Sequence, residues 1–141
     1  MQALGESKAR AATRRWTSRV LSGIAALFFL VDSAIHIGMP TQVVEAFQQL
    51  GYPLGTSRAI GAAELIAAVL YLVPRTTIFG AILLTGVLGG AIAAHMRIGD
   101  ALFPTYIFPV LVGLILWGGP YLRDPALAAL IPMRRIRRDV L

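Results

Sequence analysis

VLSGIAALFFLVDSAIHIGM, residues 20–39, is the stretch on which the reading of this chain turns. A helix rises about 1.5 Å per residue, so a run of this length reaches across the roughly 30 Å hydrocarbon core of a bilayer. Only Asp32 and His36 interrupt its apolar character with ionisable groups. Arg10, Arg14, Arg15 and Arg19 precede it in a polar, basic segment, residues 1–19. A basic start before an apolar run also describes a secretory signal peptide, but there the apolar part is about 7–15 residues long. This run is longer and the rest of the chain is equally apolar, so it reads as a retained membrane span.

The composition agrees. Across 141 residues, 57% are hydrophobic and 14% charged, against about a quarter charged in an average soluble protein. Too few charges remain to cover a water-facing surface, and the bilayer is the expected partner. The 13 Lys plus Arg against 7 Asp plus Glu crowd at the two ends and at helix boundaries. A nucleic-acid binder needs them as a stripe on one folded face, so nucleic acid is not an expected partner. With no cysteine in the chain, disulfides, thiolate metal clusters and dithiol relays are excluded.

Outward from the first span, the pattern predicts an all-α, integral membrane four-helix bundle with short interfacial helices. The spans fall at residues 20–39, 58–74, 77–96 and 103–122. Between the first two, Val43, Phe47 and Leu50 recur at helical spacing opposite Gln42, Glu45 and Gln49, which predicts an amphipathic helix lying at the membrane surface. The second span is short and carries Glu64; Pro74 and Arg75 close it. In the third, Gly86 and Gly90 form a GxxxG pair and are expected to make a contact face within the bundle. The fourth has Pro104 and Pro109 near its start, and Trp117 and Tyr121 near its end suit an interfacial aromatic belt. Residues 123–141 predict a short helix capped by Asp124 and Pro125, then the basic run Arg134–Arg138 lying along the anionic inner leaflet.

Counting cations sets the orientation. With both termini cytoplasmic in a cell (inner) membrane, eleven of the thirteen basic residues lie inside and only Arg58 and Arg97 outside, which satisfies the positive-inside rule and requires an even number of spans. That parity supports the short second span.

Ionisable side chains at a helix centre cost about 2.5–3.5 kcal/mol on insertion scales, so each is a functional candidate. Asp32 and His36 share a face, being four residues apart. The first helix runs outward, the second inward and the third outward, so Asp32, His36, Glu64 and His95 all fall in the outer half, with Arg97 and Asp100 directly after His95. A polar pocket opening toward the outer face follows, with Tyr52, Arg58 and Tyr106 as rim residues. The spacing matches no established metal motif, and no metal or bound cofactor is assigned.

Several stretches together resemble the DoxX-like family of membrane proteins: FQQLGYP (residues 47–53), IGAAEL (60–65) with LVPR (72–75), GGAIAAHMRIGD (89–100), and LWGGPYLRDP (116–125) with its trailing LIP (130–132). The resemblance implies a four-helix membrane fold and carries the family's polar positions onto Glu64, His95, Arg97 and Asp100. The wider family includes proteins that look like membrane subunits of a thiosulfate:quinone oxidoreductase, which brings in a quinone as ligand and a redox enzyme as partner. Asp32 and His36 are a departure from the better-studied branch.

Three functions remain in competition. The first is an accessory or binding subunit that holds a small lipophilic molecule. The second is a small proton-linked transporter, and the third a structural or assembly protein, in which the glycines and polar groups serve packing and homo-oligomer contacts. No nucleophile triad or phosphate loop is present, and the chain reads as non-catalytic.

Overall fold

The computed structural model describes residues 2–130, and the basic run Arg134–Arg138 lies outside them. Among the described residues there are only helices and turns. Their order is α1 (Gln2–Gly38), α2 (Thr41–Gln49), α3 (Leu54–Leu72), α4 (Thr77–Ile98), the single turn α5 (Leu102–Thr105), α6 (Ile107–Arg123) and α7 (Pro125–Leu130).

The first helix is 37 residues long, because the basic segment before Val20 is rich in Ala and Arg, both strong helix formers. It therefore continues the span without a break. Helix α3 starts at Leu54, ahead of the position 58 expected from hydropathy, and takes Thr56 and Ser57 into its first turn. The expected fourth span, in contrast, loses its first residues. Phe103 is extended (φ −119°, ψ 136°), as the residue before a proline tends to be, and α6 begins at Ile107, with Pro109 in its first turn, where a missing N–H is harmless. Helix α7 is capped as its sequence suggests: Asp124 Oδ1 accepts the Ala126 N–H at 2.9 Å.

Helix α1 packs against α3 and α6, α3 against α4, and α4 against α6, closing a four-helix ring. Contacts fix the directions. Ser57 at the start of α3 meets His36 at the end of α1, Ser18 of α1 meets Gly119 near the end of α6, and Thr77 at the start of α4 meets Arg123 at the end of α6. Each helix is thus antiparallel to its ring neighbours. The core is made of small residues around a few large ones: Ala25, Ala26, Ala67, Ala68 and Ala81 surround Phe29, Tyr71, Leu84 and Leu116. The outside is apolar instead of charged, with Leu27, Ile66 and Leu114 each more than 60% exposed. Such a surface suits lipid and not water. Helices α1, α3 and α4 are long and apolar enough to cross a membrane; α6, with 17 residues, is at the short end of the range. The chain is an all-α membrane bundle.

Close approach depends on glycines other than those the sequence singled out. Gly86 and Gly90 have open space where a Cβ would stand, so they form no contact face within the bundle. The helices meet at Gly61, where a Cβ would lie 2.8 Å from the Ser33 carbonyl, and at Gly80, where it would strike the Tyr71 backbone. Trp117, expected in an interfacial belt, donates its indole N–H to Thr85 Oγ1 of α4 at 2.9 Å.

Prolines leave helical carbonyls four residues earlier without their N–H partner, and in lipid such groups must be satisfied from within the protein. Three are met by hydroxyls. Ser57 donates to the His36 carbonyl, orphaned by Pro40, at 2.9 Å. Thr76 donates to the Leu70 carbonyl, orphaned by Pro74, at 2.7 Å. Tyr71 donates to the Leu116 carbonyl, orphaned by Pro120, at 2.8 Å.

Candidate functional site

Where α1 ends and α3 begins, the four long helices spread and α2 covers the gap. Its apolar face turns inward, burying Phe47 and followed by the buried Leu50, while Glu45 and Gln49 stay exposed. Beneath it is a cavity of about 590 Å³. Its walls are mostly apolar, including Phe28, Val43, Leu88 and Phe108, and its ionisable lining residues are Asp32, His36, Glu64 and His95. The volume and the few converging polar groups are those of a small-molecule site.

Asp32 and His36 lie one turn apart on α1, and Glu64 reaches them from α3. His36 Nδ1 is 3.6 Å from Asp32 Oδ2 and 3.3 Å from Glu64 Oε2. It is also 3.1 Å from the Asp32 main-chain carbonyl; a carbonyl only accepts, so Nδ1 carries the hydrogen and donates it there. The His36 ring stands edge-on to Phe47 of α2, centroids 5.9 Å apart. Glu64 is 1% exposed. Its Oε2 is, among the described residues, the buried side-chain polar atom that no hydrogen bond reaches; the His36 Nδ1–H is directed to the Asp32 carbonyl instead.

The other sequence candidates are arranged differently. His95 lines the cavity, but its Nδ1 is engaged by Asp100 Oδ2 at 2.5 Å, just past the end of α4. Arg97 turns away from the carboxylates: it donates to the Leu50 carbonyl and lies over the Tyr52 ring, 5.5 Å from its centroid, tying α4 to the α2–α3 link. Tyr52 lines the cavity. Tyr106 donates its hydroxyl to the Asp100 carbonyl at 2.9 Å and braces the His95–Asp100 pair from outside the cavity wall. Arg58 is exposed on α3 and lines no part of the cavity. The six polar candidates therefore divide into a triad (Asp32, His36, Glu64), a pair (His95, Asp100) and a strut (Arg97). Sequence reasoning did not single out Gln42 and Phe47 as lining residues; the amphipathic pattern of α2 placed Phe47 on an apolar face without saying what it covers.

The polar groups thus occupy one end of a four-helix membrane bundle, three of them (His95, Arg97 and Asp100) on the stretch GGAIAAHMRIGD at the end of α4. A sequence model described as that of the DoxX-like family matches residues 20–119. The chain belongs to the DoxX-like family. The match takes in all of the triad, the pair and the strut, together with the α2 cover, so the site of this DoxX-like chain lies wholly within the family's region. Neither the curated proteins nor the solved structures compared with it give a match.

Proposed function

We propose that this DoxX-like chain is a binding or accessory membrane subunit that holds a small lipophilic molecule in the cavity under α2, at the extracytoplasmic end of the bundle, with both termini in the cytoplasm. One observation carries the reading: a chamber of about 590 Å³ with apolar walls ends on a buried carboxylate oxygen that, among the described residues, accepts no hydrogen bond. A buried polar group left unsatisfied is costly, and one that persists calls for an explanation such as a ligand. A quinone is one ligand that the family resemblance brings, with a redox enzyme as the partner it would serve.

The opposite end of the bundle favours binding over proton-linked transport. There the buried polar groups are Ser18, Tyr71 and Thr77, each donating to a main-chain carbonyl. No carboxylate or imidazole continues the triad toward that end among the described residues, so a proton arriving at Glu64 has no relay onward.

Gly90 supplies the test. It lines the cavity and has open space at its Cβ position, so Gly90→Leu fills the chamber without striking the backbone. The parent, extracted gently with its native lipid, is expected to retain a lipophilic molecule by mass spectrometry, or to gain thermal stability from an added short-chain quinone. Gly90→Leu is expected to fold and to lose that response. A parent that retains nothing and responds to nothing refutes the reading. For orientation, a reporter fused after Leu141 is expected to be active only in the cytoplasm; periplasmic or extracellular activity would invert the assignment.

A further inference from the structure

We propose that Asp32, His36 and Glu64 form a binding site for one divalent first-row transition-metal ion of the Zn²⁺ class, at the polar end of the cavity. The inference shares the unbonded Glu64 oxygen with the lipophile reading but uses the three donors and not the apolar walls.

The donor geometry comes first. Asp32 and His36 are offset by four residues on one face of α1, the helical spacing by which two ligands commonly share a metal, and the antiparallel α3 brings Glu64 to them. One ligand atom from each residue lies within 4.8 Å of the other two. Zn²⁺ binds imidazole nitrogen and carboxylate oxygen at about 2.0–2.2 Å in tetrahedral sites, which sets donor–donor edges of about 3.3–3.6 Å. His36 Nδ1 stands 3.3 Å from Glu64 Oε2 and 3.6 Å from Asp32 Oδ2. The remaining edge closes by turning the Asp32 carboxylate, whose side chain is one-third exposed and free to adjust.

The second observation is independent of the spacing. Glu64 is 1% exposed and its Oε2 accepts no hydrogen bond, although it faces the other two donors. A carboxylate oxygen removed from water and left without a donor is the group a cation satisfies. The charges also balance: two carboxylates and a neutral imidazole bring a 2+ ion to zero, which a low-dielectric site tolerates best. Binding takes the lone pair of His36 Nδ1: a neutral ring shifts its hydrogen to Nε2, an imidazolium releases one proton to solvent, and in both cases the ligand is a neutral imidazole. Three protein ligands leave the fourth position of a tetrahedral ion open to the cavity, the arrangement of sites that also take a water or a ligand. One imidazole with two carboxylates suits Zn²⁺ or Mn²⁺, whereas the absence of thiolates argues against Cu⁺. The His95–Asp100 pair offers only two donors, already engaged with each other.

The test uses the full chain in mild detergent, stripped with a chelator and titrated with zinc chloride and, separately, cobalt chloride. One ion per chain is expected by calorimetry and elemental analysis, and the Co²⁺ form should show the intense visible bands of a four-coordinate site. Glu64→Gln and Asp32→Asn should each weaken Zn²⁺ binding by more than the about 10–100-fold that even outer-sphere losses cost, while His95→Gln leaves it unchanged. Substoichiometric binding, the pale spectrum of six-coordinate Co²⁺, or unchanged affinity in Glu64→Gln overturns the proposal, as does loss of binding in His95→Gln. The Co²⁺ spectrum of the parent decides the matter even if a variant fails to fold. Lipophile retention is read separately by mass spectrometry, so either proposal can fail while the other stands.

Discussion

Removing the hydroxyl of Tyr71 isolates the role of the proline-orphaned carbonyls. Pro120 has no N–H to offer the Leu116 carbonyl, and Tyr71, 2% exposed in the core, supplies the donor from α3 at 2.8 Å. Tyr71→Phe keeps the ring packed on Ala81 and its neighbours but leaves that carbonyl buried with no donor. An unsatisfied buried group costs about 1–3 kcal/mol, and interhelical hydrogen bonds measured in membranes reach about 1.7 kcal/mol, so a loss of about 1–2 kcal/mol is expected. Pro120→Ala restores an N–H at the right place. It carries its own packing loss, because Pro120 is buried, but that loss cancels in a double-mutant cycle. In the Pro120→Ala background the Tyr71→Phe change should be nearly neutral, giving a coupling of about 1 kcal/mol or more. Reversible unfolding in mixed micelles, followed by the fluorescence of Trp117, measures all four corners. Equal costs of Tyr71→Phe in both backgrounds, within about 0.5 kcal/mol, would refute the argument that the phenol answers for the proline.

Two further outcomes follow from the packing. Gly80→Ala places a Cβ against the Tyr71 backbone and within 2.8 Å of the Ala67 carbonyl; neither can yield without parting α3 from α4, so thermal denaturation should show a loss of about 1–3 kcal/mol, whereas Gly86→Ala, facing open space, should be neutral or gain up to about 1 kcal/mol. Arg97→Ala removes the donor to the Leu50 carbonyl and the cation over Tyr52, so amide exchange in Thr41–Tyr52 should accelerate by about tenfold for each 1.4 kcal/mol lost, with the rest of the bundle unchanged.

Much of the fold could be read before the structure because lipid imposes simple rules. Hydropathy over residues 20–39 demanded a helix, and the Val43, Phe47 and Leu50 spacing marked the apolar face of α2 without saying what it covers. Rules of this kind are local. The break before Ile107 is local too, yet hydropathy hides it, since Phe103 is as apolar in an extended conformation as in a helix. The glycine contacts were misjudged for a different reason: GxxxG states that a surface is smooth and says nothing of what faces it, whereas Gly61 and Gly80 are required by backbones that the sequence does not bring to mind. For the site, the Asp32–His36 pairing was visible as a four-residue offset on one helix. That Glu64 joins this pair, while His95 turns to Asp100 and Arg97 to Leu50, depends on how α3 and α4 are rotated about their own axes, which no single-helix periodicity encodes.

The contrast between the two ends of the bundle is the strongest argument for where function lies. Both ends hold buried polar groups. At the Tyr71 end each hydroxyl answers a carbonyl, including one that a proline left bare, so those groups are explained by the needs of a helix in lipid. At the other end the same accounting holds for Ser33 and for Ser57 and then fails at one atom, Glu64 Oε2, which borders both the cavity under α2 and the two other donors. A glutamine or a leucine of similar volume would fill the same place without an acid group to satisfy. That one unbonded oxygen is what the proposals of a ligand and of a metal ion at this end of the bundle rest on.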